Sequence, residues 1–68
     1  MDVIFCKSLW EARKYIGLTQ KQIAEMLGVV ESCYANWEQG RTEPNINMLR
    51  QLCIILDTTP NELINGKF

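Results

Sequence analysis

Histidine is absent from this 68-residue sequence, and no two cysteines stand close enough to form a CxxC pair. Together these absences leave no spacing suited to zinc, and no metal or other cofactor is expected. Cys6, Cys33 and Cys53 are odd in number and far apart, which suits reduced thiols packed as small apolar groups. Cys33 has no evident base to lower its pKa, and Glu31 and Glu38 point to different faces of one short helix, so no catalytic constellation is formed. An enzyme is not expected. No apolar run approaches the roughly 18 residues of a membrane span, and no signal peptide is visible, which points to a cytoplasmic chain with no membrane partner. Period-two alternation is missing too, so no strand competes with the helices described below. An excess of positive charge is also lacking: seven basic residues stand against eight acidic ones. Nucleic-acid binders are more often basic, so any such interface here must rest on a few well-placed donors.

What is present is an ordinary globular composition, 47% apolar and 22% charged. A chain this short forms one domain, residues 1–68. Such a domain buries only about 60% of its unfolded surface and needs tidy helix packing or a partner subunit. Five helices are punctuated along it. Phe5, Leu9, Ala12 and Ile16 recur on one helical face, ended by Gly17. Thr19-Gln20-Lys21-Gln22 is a capping box that opens a second helix with Ile23, Ala24 and Leu27 inward, stopped by Gly28. A third runs from Glu31 to Gln39 with Tyr34 and Trp37 inward and Gly40 as its stop. Residues 41–45 form a loop, since Pro44 disfavours helix at Glu43. Asn45 caps a fourth helix with Leu49, Leu52, Cys53 and Leu56 on one face. Thr59-Pro60-Asn61-Glu62 joins a cap, a first-position proline and a capping-box glutamate ahead of Leu63 and Ile64. The fold class is all-α.

The stretch from 19 to 40 carries the function. Two helices of about eight residues are joined by a turn too short to lay them antiparallel. Ala24 is small where the helices cross closely, Gly28 supplies a left-handed turn residue, and Val29 plugs the angle between them. That is the logic of a helix-turn-helix, whose second helix enters the major groove of DNA.

Gln20-x-x-x-Ala24-x-x-x-Gly28-Val29, followed by Trp37-Glu38-Gln39-Gly40-Arg41 and Glu43-Pro44, resembles the phage-repressor and Cro type of domain, the XRE family. Gly17-Leu18-Thr19-Gln20, Leu49-x-x-Leu52 with Leu56, and Pro60-Asn61-Glu62-Leu63 extend the likeness over about residues 5 to 66. The resemblance implies a compact five-helix bundle that binds double-stranded DNA as a transcriptional regulator, in the first instance a repressor. By position it implies phosphate contacts from Thr19 and Gln20, where the physics of a helix N-terminus agrees, and from Gln39, Arg41 and Thr42 in and beside the following loop. It implies base reading by Glu31, Ser32, Ala35 and Asn36. Asn36 can pair in bidentate fashion with adenine, Ser32 can address several bases, and Ala35 can touch a thymine methyl. Arg13 and Glu38 match a structural pair between the first and third helices.

Three positions depart from the family pattern. Val30 stands where a capping Ser or Thr is usual, at a cost of about 1 kcal/mol. Glu31 puts a carboxylate where Arg, Lys or Gln is common; it suits the helix dipole and repels phosphate, unless it accepts from a cytosine amino group. Tyr34 replaces an aliphatic core residue, so its hydroxyl must reach the surface or a partner. Modest affinity with a shallow salt dependence is expected. Trp10 and Tyr15 lie off the main apolar face of the first helix. Ile54, Ile55, Leu63, Ile64 and Phe68 exceed what one small core readily holds, which suggests a homodimer through the last helix and tail. Such a dimer reads a pseudo-palindrome with half-sites about 34 Å apart. The acidic balance and Glu31 keep a second function open: a protein-interaction or antitoxin-like module on the same fold.

Overall fold

A computed structural model describes residues 3–66 and shows five helices: α1 Val3–Ile16, α2 Gln20–Leu27, α3 Glu31–Gln39, α4 Ile46–Ile55 and α5 Pro60–Asn65. Among the described residues there is no strand. α1 packs on α5 and α3, α2 packs on α3 and α4, and α5 closes against α4. The side chains that vanish completely from solvent are Phe5 and Leu9 of α1, Ile23 of α2, Tyr34 of α3, Leu52 of α4 and Leu63 of α5. Every helix therefore places at least one large residue in a common core. Truncating any of them to alanine would cost roughly 2–5 kcal/mol, so no helix is dispensable.

The helix boundaries follow from local chemistry. Thr19 Oγ1 accepts from the Gln22 backbone N–H at 3.0 Å, and Gln22 Oε1 accepts from the Thr19 N–H at 2.8 Å, a closed capping box. Asn45 Oδ1 accepts from Met48 N at 2.8 Å to start α4. Val30 offers nothing of the kind, and α3 begins without a side-chain cap. At the turn between α2 and α3, Gly28 has φ +76°, and Val29 N–H reaches back to the Ala24 carbonyl at 3.0 Å. A Cβ on Gly28 would meet no atom within 4 Å. Glycine is required there for its backbone conformation and not for space.

Three details differ from the sequence expectation. Ile16 is 41% exposed, because the last turn of α1 runs past the core. Glu62 closes no capping box: Thr59 Oγ1 accepts from Glu62 N at 3.2 Å, but the Glu62 carboxylate accepts instead from the Thr58 hydroxyl at 2.8 Å. The neighbouring hydroxyl is simply the better-placed donor. The expected apolar surplus at the C-terminal end is smaller than it looked, since Leu63 is fully buried and Ile55 packs partly against the core. Ile54 at 79% and Ile64 at 37% exposure remain outside. Phe68 lies outside the described residues. Tyr34 takes the inward route, with its ring buried and edge-on to Trp37 at 5.9 Å between centroids.

Candidate nucleic-acid interface

α2 begins at the surface. Its first two residues, Gln20 and Lys21, carry backbone N–H groups that no helical carbonyl can reach, at the positive end of the helix dipole. Thr19 is exposed and its hydroxyl still has its own proton to donate while the oxygen accepts from Gln22. Beside this terminus runs a shallow groove lined by Lys14, Leu18, Thr19, Gln20 and Glu31, among others. Lys14 comes from the last turn of α1, with its ammonium 5.9 Å from the Trp10 ring centroid, within cation–π range.

α3 presents two unlike faces. Tyr34 and Trp37 are buried, and Cys33 is partly buried against the core. On the opposite side Glu31, Ser32 and Gln39 are exposed, with Ala35 and Asn36 half-buried. At 100° per residue positions 31, 32, 35, 36 and 39 fall within one arc, so they form a single outward strip. No other described part of the chain seals it. Among the described residues Glu31, Ser32 and Asn36 find no side-chain hydrogen bond or ion pair, and neither does Arg41, exposed in the loop that follows with Thr42. The loop leaves α3 through Gly40, with the Arg41 N–H bonded to the Asn36 carbonyl at 2.9 Å.

The frame that holds these parts is one carboxylate. Glu38 Oε2 accepts from Arg13 Nε at 2.6 Å and from the Tyr34 hydroxyl at 2.5 Å. Its Oε1 accepts from Gln20 Nε2 at 3.0 Å and from Arg13 Nη2 at 3.3 Å. Arg13 also donates to the Leu18 carbonyl at 2.8 Å. The Arg13 and Glu38 side chains are only 9% and 5% exposed, and among the described residues no buried side-chain polar atom lacks a partner. Burial pushes the Glu38 carboxyl upward, but the bonds from Arg13, Tyr34 and Gln20 outweigh it and hold the group below its usual range. The bond to Glu38 raises Arg13 against its own desolvation. Tyr34 is raised well above an ordinary phenol, first by burial and then by the adjacent carboxylate.

Of the residues singled out for phosphate, Thr19 and Gln20 meet in the α2 groove, while Gln39, Arg41 and Thr42 lie at the far end of α3. Those singled out for bases share the strip between them. Gln20 is tied to Glu38 by one amide N–H, a long-range bond that nothing in the local sequence announces. Lys14 and Lys21, to which no motif in the sequence assigns a role, stand beside them because the three residues between α1 and α2 force the end of one helix beside the start of the next. An apolar cleft bounded by Glu11, Ala12, Tyr15, Ile16 and the 56–58 turn draws no residue from α2 or α3 and is no part of this surface.

A family model described as a helix-turn-helix domain matches residues 7–67. The chain is 33% identical over 63 residues to the HTH-type transcriptional activator BcrR of Enterococcus faecalis, covering 93% of this chain and 31% of that protein. It is 33% identical over 64 residues to the uncharacterized HTH-type transcriptional regulator YqaE of Bacillus subtilis (strain 168), covering 94% and 55%. With the HTH-type transcriptional regulator AnsR of the same organism it shares 36% over 56 residues, covering 82% and 48%. The chain thus spans about a third to just over half the length of these curated relatives. No solved structure matches it significantly.

Proposed function

The chain belongs to the helix-turn-helix domain family, in its XRE-type group, and on that premise we propose that it binds double-stranded DNA sequence-specifically and regulates transcription. One observation carries the reading: α3 is locked along its inner face and open along the strip of Glu31, Ser32, Ala35, Asn36 and Gln39. That strip enters the major groove, where Asn36 and Ser32 pair with base edges. Thr19, Gln20, Gln39, Arg41 and Thr42 bind the flanking phosphates, joined by Lys14 and Lys21. Exposed Ile54 and Ile64 favour a homodimer through the C-terminal end, which suits a pseudo-palindromic operator. A dimer seated across a promoter in the cytoplasm excludes polymerase, so repression is the expected direction. A reporter that rises with the chain would reverse the direction and leave DNA binding intact.

Selection from a random duplex pool, followed by salt titration of the recovered duplex, tests the reading. Among the described residues Lys14, Lys21 and Arg41 are the cations assigned to phosphate here, and three such contacts give log K against log salt a slope of about −3 per bound chain. Equal affinity for selected and scrambled duplex would move the assignment to a protein-interaction module, the reading favoured by the exposed, unpaired Glu31.

A further inference from the structure

We propose that Tyr34 is a positioning residue for DNA binding: through Glu38, its hydroxyl holds the Gln20 amide in place to meet a phosphate. The proposal rests on the reading of Gln20 as a phosphate contact. A carboxylate has about four lone-pair sites, and Glu38 receives four hydrogen bonds: two from Arg13, one from Tyr34 and one from Gln20. It cannot turn without breaking bonds to α1, α2 and α3 together. Tyr34 is the donor on the carboxylate's own helix, one turn before it. Its ring cannot move, being fully buried and set edge-on against Trp37.

Gln20 benefits at the other oxygen. A glutamine at the surface loses rotamer freedom when it binds a ligand. Here one Nε2–H is already spent on Glu38 Oε1, which fixes the amide plane and leaves the second Nε2–H and the backbone N–H for an incoming anion. Phenylalanine at 34 would pack in the same space. It would leave Oε2 one donor short and free the carboxylate to tilt toward Arg13, away from Gln20. The hydroxyl is therefore tied to binding, and the ring to folding.

A double-mutant cycle on the full chain tests this, with Tyr34→Phe, Gln20→Ala and both. Affinity is measured per folded molecule, for a duplex recovered by selection and for a scrambled duplex. We expect Tyr34→Phe to weaken binding to both duplexes about three- to tenfold, the range of one hydrogen bond, and to change affinity less than about 1.5-fold when Gln20 is already alanine. Equal losses in the two backgrounds would overturn the proposal, as would an unchanged affinity with only a lower melting temperature. If Gln20→Ala by itself leaves affinity untouched, the phosphate reading of Gln20 fails and the proposal falls with it. Should Tyr34→Phe leave too little folded protein, Tyr34→Leu removes the same donor and must show the same dependence on Gln20.

Discussion

The two helices of the helix-turn-helix begin in opposite ways. α2 opens on a closed capping box, with Gln20 tied to Glu38 and lysines at 14 and 21 close by. α3 opens on Val30, which caps nothing, and on Glu31, an exposed carboxylate without a partner among the described residues. The first start is finished within the protein and leaves free N–H groups beside Lys14 and Lys21, as a phosphate site requires, with Glu31 lining the same groove. The second is left incomplete, and its polar side chains have their hydrogen-bonding capacity unspent. Specificity needs groups that are satisfied only by the right base; backbone anchoring needs groups already held in place. The contrast between the two starts is the physical content of the functional reading.

The largest way to break the contrast is Glu38→Ala. It strands Arg13 in a site with little water, and loss of one partner of a buried pair costs about 3–5 kcal/mol. That is much of what a domain of this size has. Urea denaturation should show a marginal or unfolded chain. The same cluster sets a pH window. Glu38 is held below the ordinary carboxylate value of 4.5, so its contribution is complete above about that pH and is lost as pH falls through the lower folded value. Tyr34 is raised above the ordinary phenol value of 10.0, so its contribution is complete below about pH 10 and is lost on further increase. Burial also raises the Cys53 thiol above its ordinary 9.0, so melting temperature against pH should be flat from about 4.5 to about 9 and fall outside both limits.

Smaller substitutions sharpen the comparison. Thr19→Ala uncaps α2 and should cost about 1 kcal/mol in stability, together with weaker binding to every duplex. Val30→Ser gives α3 the cap it lacks and should add roughly 0.5–1 kcal/mol; a loss in calorimetry would mean that the open start is already satisfied in another way. Glu31→Gln should raise affinity for scrambled DNA about two- to threefold, the scale of one surface charge near a helix end. If affinity for scrambled DNA fell instead, Glu31 would not be a repulsive group.

Much of this was legible in the residues because the signals are local. Thr19 with Gln22, Gly28, Gly40, Asn45 and Thr59-Pro60 each mark a helix end through atoms three or four residues away. What stayed hidden depends on distance or on competition. Ile16 continues the α1 spacing perfectly well, yet the core ends one turn earlier. Glu62 has the right offset from Thr59, but Thr58 reaches its carboxylate first. For Tyr34 the residue type demands a partner for the hydroxyl without naming it, and the acceptor is on the same helix. The bond from Gln20 to Glu38 spans 18 positions and exists only once α2 and α3 are packed. The site residues were drawn from a resemblance in spacing; their exposure is a property of the fold.

The most direct test sets Asn36→Ala beside Arg41→Ala on a selected duplex and its scrambled counterpart, across a range of salt. Asn36→Ala should lower the ratio of the two affinities roughly tenfold to a hundredfold and leave the salt slope unchanged. Arg41→Ala should weaken both duplexes equally and make the slope shallower by about 1. An Asn36→Ala chain that keeps the full ratio would contradict the claim that the outer strip of α3 reads bases.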